Sequence, residues 1–167
     1  MANLKWCLTH KDGIRLVEPS QNLALAYVKK AEDSLTSMNE TSVRDWKIST
    51  AYYAMYFSVY AVLNRVGIKC ELHPCTIEFA NSFLKEYFSD EEISFLEESI
   101  QARVDSQYYT DRKIDNKKYE EMIRKAPQMV VKCKEIVNKL NENKINEIRE
   151  KLKLEISKIE NKKKGKK

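Results

Sequence analysis

Apolar positions recur along most of this chain at steps of three and four, the spacing that lines one face of an α-helix. The pattern begins after Pro19-Ser20, where Leu23, Ala26, Tyr27, Lys30, Ala31 and Ser34 share a face, and it predicts a helix running to about Met38. Residues 39–42 read as a polar turn in which Thr41 or Ser42 can cap the next helix. That helix is predicted over residues 43–66. Ile48, Tyr52, Met55, Val59, Val62 and Val66 make one face, and Trp46, Tyr53, Phe57, Ala61 and Asn64 make another, so it is expected to be buried on several sides at the centre of a bundle. Gly67 suits its C-terminal stop, because glycine enters the left-handed region without a Cβ clash.

Residues 68–74 interrupt the pattern, and Cys75 or Thr76 restarts a helix whose face is Phe79, Phe83 and Tyr87 with Ile77 and Leu84. Ser89 followed three positions later by Glu92 is a capping-box signature. The helix it opens continues through Ile93, Leu96, Ile100 and Arg103 to about Tyr109. A charged loop over residues 110–116 leads to a helix over 117–140, which Pro127 should kink or break. Beyond it Ile145, Ile148, Leu152, Ile156 and Ile159 form a narrow stripe on an amphipathic helix, and the final KKKGKK is expected to be disordered. Residues before 19 keep no sustained period and read as an extended or irregular arm with room for one short helix.

The expected fold is therefore all-α, an up-and-down helical bundle of four to five main helices with a C-terminal amphipathic helical extension. It divides into an N-terminal arm (1–18), the bundle (19–141) and a basic tail (142–167). With only 3 Gly and 3 Pro in 167 residues, composition also favours long helices. The net charge of +5 resides entirely in the tail, where residues 142–167 carry 10 basic and 5 acidic groups while residues 1–141 carry 20 of each. Such a tail can neutralise nucleic-acid phosphates or simply keep the chain soluble.

The first residues, MANLKWCLTHKDG, lack the apolar core of a secretory signal, and the apolar run over 51–63 is too short to span a bilayer. A cytoplasmic protein without membrane contact is expected. Its four cysteines could pair, but an intracellular chain of this size does not need disulfides.

Cys70, His73 and Cys75 carry zinc-type ligands, yet C-x2-H-x-C matches no common zinc site, so no metal is expected and His73 is read as structural. Tyr52, Tyr53, Tyr56 and Tyr60 are read as core packing with hydroxyls reaching polar partners. Arg103 stands in step with Ile93, Leu96 and Ile100 on an otherwise apolar face. It is either an ion pair to a carboxylate such as Asp105 or Glu98, or an arginine that binds an anion. Tyr108 lies about 140° further round an ideal helix, so the two meet only if the helix ends or bends there, or if a dimer completes the site. No glycine-rich phosphate loop, Ser-His-Asp set or HExxH appears, and no cofactor is implied.

The helix after LVEPSQNLALAYVKKAEDSL, the central STAYYAMYFSVYAVLNRVGIKCELH, then CTIEFANSFL and the helix ending in ARVDSQYY together resemble the HEPN family of small helical domains. The likeness is greatest to the archaeal and bacterial branch encoded beside minimal nucleotidyltransferases, and it covers about residues 19–140. It implies a helical homodimer. Members are often metal-independent ribonuclease toxins neutralised by a nucleotidyltransferase antitoxin, and others are non-catalytic and bind RNA, nucleotide or the partner protein. The family's ribonuclease motif is Arg, four to six residues, then His. Arg103 matches the arginine, but the positions that follow hold Tyr108, Tyr109 and Thr110, and the only histidines are His10 and His73. RVDSQY instead resembles a family variant reading Arg-x-x-Ala-Asp-Tyr. Histidine moves protons near neutral pH and tyrosine does so poorly. The resemblance therefore implies RNA or nucleotide binding at Arg103 and Tyr108 with weak or no ribonuclease activity, and Tyr108 or Tyr109 as a modification acceptor. The alternatives are an active ribonuclease drawing on His73, and a pure protein-interaction module.

Overall fold

The computed structural model describes residues 3–164, which form seven helices and one two-stranded sheet. In chain order these are α1 (Leu4–Thr9), β1 (Arg15–Leu16), α2 (Gln21–Glu40), α3 (Arg44–Val66), β2 (Ile68–Lys69), α4 (His73–Phe83), α5 (Asp90–Tyr108), α6 (Asn116–Lys139) and α7 (Glu142–Lys164). The all-α bundle is the architecture the hydrophobic spacing predicts. Of the terminal KKKGKK, residues 165–167 lie outside the described residues, and α7 runs to Lys164.

The central helix is α3, where Ile48, Ala51, Tyr52, Met55, Val62, Leu63 and Val66 are buried. It packs against α2, α5 and α6. Its second face is buried only toward the C-terminal end. Trp46 is 58% exposed and Tyr53 and Phe57 are half-buried. Gly67 ends α3 at φ 80°, with its N–H donating to the Asn64 and Leu63 carbonyls. Thr41 does not cap α3. It closes α2, and its hydroxyl accepts from the Val43 N–H at 3.2 Å.

The buried face of α2 is Ala24, Val28, Ala31 and Met38, whereas Leu23 and Leu25 are exposed. Of the predicted face Ala31 is buried and Tyr27 packs against the core, while Leu23, Ala26 and Lys30 are exposed. Ser89 and Glu92 form the reciprocal capping box at the start of α5. Pro127 does not break α6. Met122, Ala126, Met129 and Val130 pack into the core on both sides of it, and the helix runs on. Residues 68–74 contain more order than a loop, since β2 pairs antiparallel with β1.

The arm and the tail both fold onto the bundle. Cys7 and Cys75 are joined by a disulfide, which corrects the expectation of free thiols. The cause is tertiary: α1 packs on α4 and brings two fully buried cysteines, 68 positions apart, to a Cα separation of 5.5 Å. In α7, Ile145, Ile148 and Leu152 are buried against the bundle. Arg149 Nη1 donates to the carbonyls of Val17 (2.7 Å), Val66 (3.0 Å) and Gly67 (3.0 Å), of which the Gly67 carbonyl also accepts from the Val17 N–H at 2.9 Å. Lys144, Lys151, Lys153 and Lys158 each pair with a glutamate, so much of the helix's positive charge is neutralised in place.

Candidate functional site

The last turns of α5 hold Arg103 against the first half of α3. Its Nη2 donates to the Tyr53 hydroxyl at 2.8 Å, and the guanidinium carbon lies 5.3 Å from the Tyr53 ring centre and 5.6 Å from that of Tyr108. Arg103 and Tyr108 therefore do meet. They meet where α5 ends, Tyr108 being its last residue and Tyr109 already extended. Neither carboxylate considered as its ion-pair partner is engaged with it. Asp105 accepts from Arg112 at 2.8 Å, and Glu98 pairs with Lys118. Among the described residues no carboxylate pairs with Arg103, and its Nε is buried without a partner. The guanidinium thus keeps its charge and most of its five donors uncommitted.

Behind it lies an aromatic cluster. The Tyr52 hydroxyl is 2.8 Å from His73 Nδ1, and the His73 ring stacks on Tyr56 with centres 3.8 Å apart and meets Tyr53 edge-on at 6.2 Å. Burial, and then the positive charge of Arg103, hold the imidazole pKa down at about 4, so His73 is neutral at pH 7. Burial pushes the Tyr52 phenol well above its usual range, so it stays protonated. The Tyr52 hydroxyl and His73 Nδ1 share one hydrogen bond, and the imidazole tautomer sets which of the two donates. Cys70 and Cys75 do not join His73 in a ligand set. Cys75 is bonded to Cys7, and the Cys70 thiol donates to the Leu72 carbonyl at 3.3 Å, with burial raising its pKa.

Tyr108 and Tyr109 are 67% and 43% exposed. They border a cavity of about 650 Å³ between the start of α3 and the α5–α6 connection, whose wall includes Arg44, Arg112 and Lys113. Arg112 lies flat over the Tyr109 ring at 3.5 Å, and Arg44 over Tyr119 at 4.1 Å. The site thus has a cation held by Tyr53 beside Tyr108, and a basic, aromatic hollow that the same Tyr108 borders.

A model of the HEPN domain matches residues 22–137, from the start of α2 to near the end of α6. The chain belongs to the HEPN domain family. No curated protein matches it. In this HEPN chain the matched segment contains the whole Arg103 environment, including Tyr53, His73 and Tyr108, and leaves α1, β1 and α7 outside. No helix among the described residues is long and apolar enough to cross a membrane.

Tyr53 packs against the core with its hydroxyl on a polar partner, as its sequence reading has it, and that partner is Arg103. Trp46 was not legible as a participant: it reads as part of a buried face, and it stands open beside Tyr108.

Proposed function

We propose that this HEPN protein binds RNA or nucleotide through Arg103 and Tyr108 and has weak or no ribonuclease activity. In this reading it acts as a homodimer and as the non-catalytic or weakly active partner of a minimal nucleotidyltransferase in a toxin–antitoxin-like pair. The observation that carries it is the Arg103 guanidinium. It has no carboxylate partner among the described residues, it is oriented by the Tyr53 hydroxyl, and it faces an exposed tyrosine. An anionic phosphate satisfies such a group by paired, charge-assisted hydrogen bonds. The partner and the dimer rest on family resemblance.

The exposure of Tyr108 and Tyr109 supports a second element, nucleotidyl transfer onto one of them by the partner. The phenolic oxygen attacks the α-phosphorus of ATP, pyrophosphate leaves, and the phenolic proton passes to a base of the transferase. Mass spectrometry after incubation with the cognate enzyme and ATP reads this as one added adenylyl group.

One observation favours the active ribonuclease, the closeness of His73 to Arg103 through Tyr52 and Tyr53. Against it stands the burial that, with the Arg103 charge, holds the His73 pKa at about 4 and makes the imidazole a weak base toward a 2′-hydroxyl. RNA binding and metal-free cleavage measured side by side for wild type and Arg103→Ala test the proposal. Binding lost in the variant with no cleavage by either supports it. Cleavage lost in Arg103→Ala, and lost again in His73→Ala, overturns the non-catalytic reading.

A further inference from the structure

Trp46 and Tyr108 wall one hollow. A pocket of about 430 Å³ lies between Val43, Asp45 and Trp46 at the start of α3 and Ser106, Gln107 and Tyr108 at the end of α5. It shares Asp45 and Tyr108 with the larger, basic cavity beside Tyr109, so the two are continuous around Tyr108. Both rings are mostly in water, 58% exposed for Trp46 and 67% for Tyr108. Open tryptophan next to open tyrosine has a cost in water that a stacked base relieves.

The charges along the same path favour a polyanion. Arg44, Arg112 and Lys113 line the larger cavity against one acid, Asp45. Arg44 is held by the carbonyls of Ile114 (3.0 Å) and Asp115 (3.3 Å), so its charge is positioned without being neutralised. Arg112 is partly compensated by Asp105, and among the described residues Lys113 has no carboxylate partner. Exposed aromatic rings beside a cationic track are the arrangement by which single strands are bound, bases stacking on the rings and phosphates following the cations. An A-form duplex keeps its bases stacked inside and cannot use the rings.

We infer that this surface is a single-stranded RNA track, with a base stacked against Trp46 and Tyr108 and the adjoining phosphates over Arg44, Arg112 and Lys113. The inference rests on the RNA-binding reading of Arg103 and extends that site past Tyr108 into the hollows that Tyr108 borders. It assigns the hollow to a strand rather than to a protein partner.

The test is a titration of the full chain carrying Trp6→Phe, so that Trp46 is the only tryptophan, with a ten-nucleotide oligouridylate and with a double-stranded RNA of equal length. The expected result is quenching of Trp46 fluorescence by the single strand and not by the duplex. Trp46→Ala should weaken single-strand binding about 10-fold and Trp46→Phe should restore much of it. Lys113→Gln should weaken binding and lower its salt dependence by about one phosphate contact. Binding that is lost in Arg103→Ala but unchanged in Trp46→Ala, with no quenching, overturns this inference and leaves the Arg103 reading intact. No binding of the oligonucleotide by folded wild-type protein overturns both. Trp46 quenching by a nucleotidyltransferase and not by RNA assigns the hollow to a protein and overturns the inference.

Discussion

The Tyr53 hydroxyl accepts from Arg103 Nη2 at 2.8 Å and thereby fixes the one arginine that the helix face would otherwise have to bury without a partner. The bond ties the middle of the bundle to the end of α5. Tyr53→Phe removes it while keeping the ring, and a hydrogen bond to a charged group contributes about 1.5–3 kcal/mol. Part of that is recovered by water at this half-buried position. RNA binding should therefore fall roughly 3- to 10-fold with little change in the thermal unfolding midpoint. A variant that binds as wild type does shows that Arg103 is held by packing alone.

A second consequence concerns pH. The folded-state pKa of His73 is depressed to about 4 from 6.5, so between those values the unfolded chain binds a proton that the folded one refuses. The stability contributed is fully present above about pH 6.5 and is lost as pH falls toward 4. The position is only partly buried, and discounting for solvent screening leaves about 1–2 kcal/mol. Urea unfolding of wild type and His73→Gln from pH 7 to 4 should converge as pH falls. Parallel curves show that the imidazole is not desolvated.

These two expectations depend on contacts that the sequence signalled unequally. Gly67, the Ser89–Glu92 box and the core faces of α3 were legible because each follows from local chemistry or from one helix's period. The α2 face was read in part: Ala31 is buried and Tyr27 packs on the core, but Ala24, Val28 and Met38 make the rest of the contact in place of Leu23, Ala26 and Lys30. Trp46 was misread because a single helix cannot show where its neighbours stop, and the partner of the Tyr53 hydroxyl was not legible because Arg103 comes from another helix. Arg103 was legible as an anomaly on an apolar face, but its two carboxylate candidates were already taken by Arg112 and Lys118, which come from the following loop and helix. The Cys7–Cys75 pair is set by how α1 lies on α4, which spacing does not encode.

That pairing predicts a thiol count. Wild-type protein unfolded in guanidinium without reductant should give two reactive thiols with a chromogenic disulfide reagent, from Cys70 and Cys133. Four show that the bond is not formed. Closing so long a loop restricts the unfolded chain, and Cys7→Ser should lower stability by about 2–4 kcal/mol under oxidising conditions.

Gly67 offers a sharper backbone test. At φ 80° a side chain is strained, and a Cβ there would stand 2.5 Å from the Val17 carbonyl oxygen and 2.3 Å from Arg149 Nη1. Gly67→Ala should cost about 2 kcal/mol or more, read as a lower urea midpoint at unchanged slope. An unchanged midpoint contradicts the left-handed cap.

The last prediction separates two roles of the C-terminal helix. A docking element for a partner could be removed without harm to the bundle. Here, however, Ile145, Ile148 and Leu152 are buried, and Arg149 bonds three carbonyls around the end of α3 and the β1 connection. Burying one such aliphatic side chain contributes about 1.5–3 kcal/mol, against which the ordering of the helix is set. The net loss on removing residues 142–167 is expected to be about 3 kcal/mol or more, with the Val66 and Val17 carbonyls left for water to satisfy while the Gly67 carbonyl keeps the Val17 N–H. That is a large share of a small domain's stability. Removing only residues 162–167 takes away five lysines and none of this packing. The short truncation should therefore keep the unfolding midpoint and lose only salt-sensitive affinity for RNA, whereas the long one should lower the midpoint sharply. A long truncation as stable as wild type makes the helix an accessory, and its apolar stripe is then free to serve another chain.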